Sequence, residues 1–222
     1  MDMANTLTEA YKMYRLSSPP DSARVLQQAI NYYTSTGNFR RAATHQQNLA
    51  ELYELSFEPP DLKNALSAYE TAASWFESDN AEALANKLYL KVGEVAALEG
   101  DYPLAVEKFE RVAKSSIQSN LMKWSVKEYF LKAGICRLAV GDNIATRRAL
   151  QQYKEMDNSF AAQRECMLLT DLVQCQEDGE SDEFSRKLLF YDKLSSLDKW
   201  KTAILVRVKE GITKQDEEED FS

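Results

Sequence analysis

The fold is decided by the stretch Gly100-Asp101-Tyr102-Pro103-Leu104-Ala105-Val106-Glu107-Lys108-Phe109, whose pattern recurs in weaker form along the chain. A turn residue is followed by an aromatic or apolar residue, then by a small residue, and four positions later by a large apolar residue. Such small residues stand at Ser22, Ala42, Ala65 and Ala105. Their spacing is about 20 residues or a multiple of it, the length of one helix and a tight turn. The sequence therefore predicts helical hairpins stacked as a tetratricopeptide-like α-solenoid.

The composition also favours an all-α protein. Seven Gly and five Pro are few for 222 residues, and good helix formers dominate the rest. Glycines mark four predicted helix ends, at Gly37, Gly100, Gly141 and Gly179. The predicted helices cover residues 3–16, 20–35, 38–56, 61–78, 80–99, 102–118, 121–140, 143–155, 158–177, 181–195 and 197–215.

The regularity of the repeat divides the chain into three predicted segments. Residues 1–141 form the α-hairpin solenoid, and residues 142–214, where the pattern becomes irregular, form a helical bundle that caps it. Residues 215–222 contain five consecutive acids, Asp216 to Asp220. Such a segment is too charged to pack, so we expect a disordered acidic tail.

Nothing in the sequence resembles an active site. His45 is the only histidine, which excludes histidine metal clusters, and no glycine-rich phosphate loop or nucleophile elbow is present. The three cysteines, Cys136, Cys166 and Cys175, fall inside helical patterns without CxxC spacing and no secretory signal precedes them. They are typical of reduced core thiols in the cytosol. We expect no enzymatic activity, cofactor or metal, although paired carboxylates on facing helices leave an enzyme as the alternative.

Basic residues are the minority in a chain of net charge −8, and their positions are therefore informative. Two lysine pairs have helical i, i+4 spacing and are separated by about one repeat, which predicts equivalent positions on neighbouring hairpins. With two arginines near the start of an earlier helix they would form one positive stripe, beside an exposed Trp124. The stripe comprises Arg40, Arg41, Lys87, Lys91, Lys123 and Lys127. The alternative is that these are ordinary lysines on a solvated surface.

The stripe favours a negatively charged helical protein as its partner. Nucleic acid is disfavoured because an acidic protein repels phosphates. The acidic tail and the turn from Glu177 to Glu183 form a second, negative pole. A positive flank and a negative end together predict an adaptor that joins two different proteins.

Longer stretches of the chain carry a family resemblance. They are Tyr33-Thr34-Ser35-Thr36-Gly37-Asn38-Phe39-Arg40-Arg41-Ala42, Ala85-Asn86-Lys87 with Lys91-Val92, Lys123-Trp124-Ser125-Val126-Lys127-Glu128-Tyr129-Phe130-Leu131-Lys132, Arg164-Glu165-Cys166, Leu197-Asp198-Lys199-Trp200 and the acidic ending. In these stretches the chain resembles the soluble NSF attachment proteins, including the alpha type and its fungal counterparts, over essentially its whole length.

The resemblance implies a cytosolic adaptor, peripheral to membranes, that coats the SNARE four-helix bundle and recruits the hexameric ATPase NSF to take it apart. The family's SNARE-facing positions fall on Lys87, Lys91, Leu121, Trp124 and Lys127. Its ATPase-facing positions fall on Glu177, Asp178, Asp216, Glu217, Glu218, Glu219, Asp220 and Phe221.

The chain departs from the family pattern in three places. It begins inside the pattern, without the usual N-terminal hairpins and their apolar membrane-touching loop, so direct membrane contact is expected to be weakened. Thr44 stands where animal members commonly have lysine, and Phe221 stands where leucine is usual, which would alter ATPase stimulation. The competing interpretation is a generic tetratricopeptide-like protein-interaction scaffold, such as a co-chaperone that grips an acidic peptide.

Overall fold

The structure is a computed structural model that describes residues 3–15, 17–119 and 121–220, with side chains for 6–15, 17–119 and 121–214. In that part of the chain eleven α-helices are connected by short turns and there is no strand. The helices are α1 (Met3–Tyr14), α2 (Pro19–Ser35), α3 (Phe39–Leu55), α4 (Leu62–Ser78), α5 (Glu82–Glu99), α6 (Tyr102–Ile117), α7 (Val126–Val140), α8 (Asn143–Met156), α9 (Arg164–Glu177), α10 (Ser181–Asp192) and α11 (Lys199–Asp220). The predicted all-α class is confirmed.

The helix boundaries follow from capping chemistry. Asn38, Asp61, Asp101 and Asp142 each precede a helix and accept a hydrogen bond from the backbone amide three residues further on, at 2.8–3.4 Å. Such a side chain satisfies an amide that has no partner within the helix. The four predicted stop glycines all have positive φ, between 71° and 86°, a conformation that favours glycine.

The repeat pattern predicted the packing correctly. Ala42, Ala65 and Ala105 are completely buried, which allows two helices to approach closely. Tyr69 and Phe109, four residues after two of these alanines, are 1% and 0% exposed and fill the space beside them. Small and large residues thus alternate along the core as the α-hairpin architecture requires.

The chain forms two compact units, Met1–Val95 and Ala96–Ser222. In the first unit, α1 packs on α2, α2 on α3 and α3 on α4. In the second, α7 is central and packs against α6, α8, α9 and α11, while α10 packs on α9 and α11. The sequence places a segment boundary at residue 141 because the repeat becomes irregular there. That boundary stays a prediction.

Two helices begin later than predicted. Helix α7 begins at Val126 instead of residue 121, and α9 begins at Arg164 instead of residue 158. The residues just before them form short 3-10 turns, Lys123–Ser125 and Phe160–Ala162. Before α7, the carbonyl of Ser119 accepts the amides three and four residues further on, so a local turn replaces the first helical turn.

The last helix is longer than predicted. The sequence predicts an end at residue 215 and a disordered tail beyond it, whereas α11 continues to Asp220. Glutamate has a high helix propensity, and an already folded helix supplies the nucleus that an isolated acidic segment lacks. Phe221 lies outside the described residues.

Candidate functional site

Lys87 and Lys91 lie on the middle turns of α5, as predicted, but in different environments. The ammonium of Lys91 lies 2.7 Å from Glu54 Oε1 on α3, with 35% of the lysine side chain and 13% of the glutamate side chain exposed. Within the described residues Lys87 is exposed and forms no ion pair. Only one lysine of this pair therefore presents an uncompensated charge.

Glu54 is held from a second side by Tyr69. The Tyr69 hydroxyl donates to Glu54 Oε2 at 2.7 Å. Burial, and then this hydrogen bond, raises the pKa of Tyr69 well above its usual value, so the hydroxyl keeps its proton and remains a donor. A groove of about 400 Å³ runs past these residues, and Glu51 and Glu94 line it together with the two lysines. The groove therefore carries both signs of charge, not the purely positive charge that a basic stripe requires.

Arg40 and Arg41 lie in the first turn of α3, and both are exposed. The Arg40 guanidinium is 3.6 Å from Asp79 Oδ2, which makes a weak surface pair. The Arg41 guanidinium stacks over the Tyr33 ring, 5.7 Å from its centroid. Because Arg41 is exposed, its guanidinium remains accessible to a partner while it lies over this ring.

Lys123 and Lys127 do not share a helix, which corrects the sequence interpretation. Lys123 lies in the 3-10 turn and Lys127 is the second residue of α7. Because Lys87 lies well inside α5, Lys123 is not at the equivalent position of a later hairpin. The one-repeat register that motivated the stripe is therefore wrong, and the assignment of these residues as a binding site stays a prediction.

The 3-10 turn and the residues just before it expose large apolar side chains to solvent. Leu121 is 89% exposed and Trp124 is 78% exposed. Lys123 beside them is exposed and unpaired among the described residues. Trp124 also lines a cavity of about 310 Å³, together with Val126. Apolar residues exposed next to a cation are typical of a protein-interaction site.

Lys127 is compensated by a buried carboxylate, as Lys91 is. Its ammonium lies 3.1 Å from Glu165 Oε1 on α9, and the Glu165 side chain is only 7% exposed. Glu165 Oε2 is buried and has no hydrogen-bond partner in the described part of the chain. The sequence assigned no role to Glu54 or Glu165, although Glu165 lies in one of the stretches that carry the family resemblance. The available signal for the pairing of Glu54 with Lys91 was their separation in sequence, which is about one repeat.

The predicted acidic pole is also partly compensated. Arg147 binds Glu177 with two hydrogen bonds, from Nε to Oε1 at 2.7 Å and from Nη2 to Oε2 at 2.5 Å. These bonds hold the pKa of Glu177 below its usual value. Asp178, at the end of α9, is exposed and accepts a hydrogen bond from Gln174 at 2.7 Å. Of these two acids, Asp178 is the one without an ion pair among the described residues.

Helix α11 is anchored near its middle by Arg207. This guanidinium donates to the carbonyls of Ala97, at 3.1 Å, and Leu98, at 3.0 Å, in the last turn of α5. Cations are stabilised at helix C-termini, where carbonyls lack helical partners. The contact fixes the direction of the helix whose end carries Asp216 to Asp220.

The residues with catalytic or metal-binding potential are in structural settings. His45 is buried and stacks on Tyr33, and burial lowers its pKa. The three cysteines are buried and unpaired, and burial raises the pKa of the Cys136 thiol to about 12. Within the described ranges no cluster of metal-ligating side chains occurs. No helix in those ranges is long and apolar enough to cross a membrane.

Comparison with known proteins identifies the family. A family model described as soluble NSF attachment protein, SNAP, matches residues 1–213. The chain is 51% identical over 221 residues to the "Probable vesicular-fusion protein sec17 homolog" of Schizosaccharomyces pombe, covering 100% of this chain and 75% of the relative. It is 34% identical over 220 residues to the human "Alpha-soluble NSF attachment protein", covering 99% of this chain and 73% of the relative. The predicted resemblance is confirmed: the chain belongs to the soluble NSF attachment protein family.

Proposed function

We propose that this protein is an adaptor that binds assembled SNARE complexes and recruits and stimulates an NSF-type hexameric ATPase, which disassembles them in vesicle trafficking. The observation that carries the proposal is the family match over residues 1–213. Relatives that match over almost the whole chain are named as NSF attachment or vesicular-fusion proteins. A role in vesicle fusion follows from that family, and the individual contacts are our inference.

The SNARE-binding surface has a part in each compact unit: Arg40, Arg41, Lys87 and Lys91 in the first, and Leu121, Lys123, Trp124 and Lys127 in the second. Its support is physical: Leu121 and Trp124 are almost fully exposed, and Lys87 and Lys123 carry charges that no described acid neutralises. Apolar side chains supply affinity when a partner buries them, and unpaired cations attract an acidic helical bundle and orient it.

The ATPase-binding surface comprises Glu177, Asp178, Asp216, Glu217, Glu218, Glu219, Asp220 and Phe221. Helix α11 supports this assignment because it continues into the acids. A basic partner would therefore meet acids that follow directly on a folded helix. Asp178 contributes more than Glu177, whose charge Arg147 already compensates.

The adaptor has no catalytic activity of its own in this proposal, and it works in the cytosol at the membrane periphery without nucleic acid as a partner. The second candidate is a generic tetratricopeptide-like scaffold. That alternative requires one compact clamp of basic and amide side chains around a peptide terminus. The groove beside Lys87 and Lys91 also contains Glu51, Glu54 and Glu94, so the two lysines do not form such a basic clamp.

The experiment that tests the proposal is a binding titration with an assembled SNARE complex. The double variant K87E/K123E reverses two charges that have no ion pair among the described residues, so the fold should be unaffected. We expect binding to weaken at least about tenfold, most strongly at low salt. The matched control is K63E/K193E, which changes two other exposed, unpaired lysines and the same net charge. Equal affinity of both variants and the unaltered chain would refute the proposed surface.

A further inference from the structure

Each predicted lysine pair contains one unpaired and one compensated lysine. Lys87 and Lys123 are exposed and have no ion pair in the described residues. Lys91 and Lys127 each contact a glutamate from another helix, at 2.7 Å and 3.1 Å. The same arrangement thus occurs once in each compact unit, on unrelated helices.

The glutamate of the first unit, Glu54, is fixed in place. Its side chain is 13% exposed, and its two carboxylate oxygens are occupied by Lys91 and by the Tyr69 hydroxyl. Tyr69 is itself 1% exposed and cannot turn away without opening the core. The carboxylate therefore remains beside Lys91 and cannot follow the lysine if its ammonium swings toward a partner.

The glutamate of the second unit, Glu165, depends even more on its lysine. Its side chain is 7% exposed, and Lys127 provides its only ion pair in the described part of the chain. Its second oxygen is buried without a hydrogen bond there. A buried carboxylate without other compensation is costly, so it attracts Lys127 strongly. Lys127 is 42% exposed and remains accessible to a partner.

We propose that Glu54 and Glu165 are affinity-setting residues that compete with acidic SNARE side chains for Lys91 and Lys127. This inference rests on the proposed SNARE-binding function. An incoming carboxylate must share a lysine with an internal carboxylate that already neutralises most of the lysine's charge. The two glutamates thus keep an otherwise complementary surface from binding too tightly, and the adaptor can dissociate once the bundle has been taken apart.

The opposite effect of these glutamates would be preorganisation, in which they hold the lysines in the binding geometry. Glutamine distinguishes the two effects because its amide oxygen can still accept the lysine hydrogen bond while the negative charge is removed. If charge competition dominates, E54Q and E165Q bind more tightly. If ionic preorganisation dominates, they bind more weakly.

The test measures the affinity of E54Q and E165Q for an assembled SNARE complex. We expect each to bind about threefold to tenfold more tightly, with a steeper salt dependence. The matched controls E9Q and E183Q remove the acid of surface ion pairs elsewhere in the same units, and their affinity should stay within about twofold of the unaltered chain. Unchanged or weaker binding by both E54Q and E165Q overturns the proposal.

A double-mutant cycle excludes a purely structural effect. The gain from E54Q should disappear in a K91A background, because the glutamate acts only through that lysine. A gain that persists there overturns the proposal. E165Q provides an independent test in the other unit if thermal unfolding shows that E54Q is not folded.

The charge-reversal variant K87E/K123E tests the proposed SNARE-binding surface separately from the affinity-setting role. If it loses SNARE binding while E54Q and E165Q bind no more tightly, the affinity-setting role is refuted and the adaptor function stands. If K87E/K123E binds as well as the unaltered chain, the proposed SNARE-binding surface is refuted, and the affinity-setting role fails with it. If the unaltered chain does not bind a SNARE complex, the proposed function itself fails.

Discussion

The apolar tip before α7 offers the sharpest prediction, because its contribution to binding and to folding can be separated. Leu121 and Trp124 are 89% and 78% exposed, so they contribute almost nothing to the core. A tryptophan side chain can bury about 150–250 Å² on association. At about 25 cal/mol per Å² this area corresponds to about 4–6 kcal/mol, of which binding realises only a part.

We therefore expect L121A/W124A to weaken SNARE-complex binding by about 2–3 kcal/mol, or about 30-fold to 150-fold. Its free energy of unfolding should change by no more than about 1 kcal/mol, because surface substitutions rarely cost more than about 0.5 kcal/mol each. Titration calorimetry measures the first quantity and denaturant unfolding the second.

The matched control is L189A/F190A on α10. Leu189 and Phe190 are 63% and 68% exposed, but they lie outside the proposed SNARE-binding surface. The control should bind within about twofold of the unaltered chain. Full affinity in L121A/W124A, or an equal loss in the control, would refute the assignment of the tip as a binding site.

Three further predictions concern stability and reactivity. In α7, a Cβ at Gly134 would overlap a buried leucine of α9, so G134A should lower the free energy of unfolding by about 1–2 kcal/mol despite the better helix propensity of alanine. Gly211 has open space around it, so G211A should raise the free energy of unfolding by about 0.5–1 kcal/mol. Denaturant unfolding measures both variants, and a stabilised G134A would contradict the packing. The pKa of Glu177 is lowered by Arg147, so this pair stabilises the fold at neutral pH and its contribution is lost as the pH falls through the lowered pKa. R147A should therefore lower the free energy of unfolding by about 0.5–1 kcal/mol at pH 7 and leave it unchanged at acid pH. Denaturant unfolding at both pH values measures this, and a difference that does not depend on pH would exclude the ion pair as its cause. The Cys136 thiol, with its raised pKa, should react with a thiol reagent at pH 8 only after denaturation, and rapid labelling of the folded protein would contradict its burial.

The parts of the fold that local chemistry determines could be predicted from the sequence. Ala105 allows two helices to approach closely, and Phe109 fills the groove beside it. Gly100 ends one helix and Asp101 caps the start of the next. These signals lie within a few residues of the feature that they determine. The start of α7 was missed because Ser119 closes a turn with backbone groups, which a periodicity of side chains does not reveal.

The electrostatics of the site were less predictable, since they depend on pairs that are distant in sequence. Lys91 and Lys127 are recognisable as candidate contacts, but their compensation by Glu54 and Glu165 arises only when helices pack. The pairing of Glu177 with Arg147 has the same origin. Sequence alone therefore indicated which residues carry charge, and the structure indicates how much of that charge remains available to a partner.

The central claim is that this chain couples SNARE complexes to an NSF-type ATPase, and the most direct measurement is the rate of SNARE-complex disassembly in a reconstituted mixture with NSF and ATP. We predict that the intact chain accelerates disassembly well above the rate with NSF alone. Deletion of residues 216–222 should leave SNARE binding nearly unchanged but remove most of that acceleration, because the acidic end lies apart from the proposed SNARE-binding residues in the sequence. No more disassembly with the intact, folded chain than with NSF alone would contradict the claim.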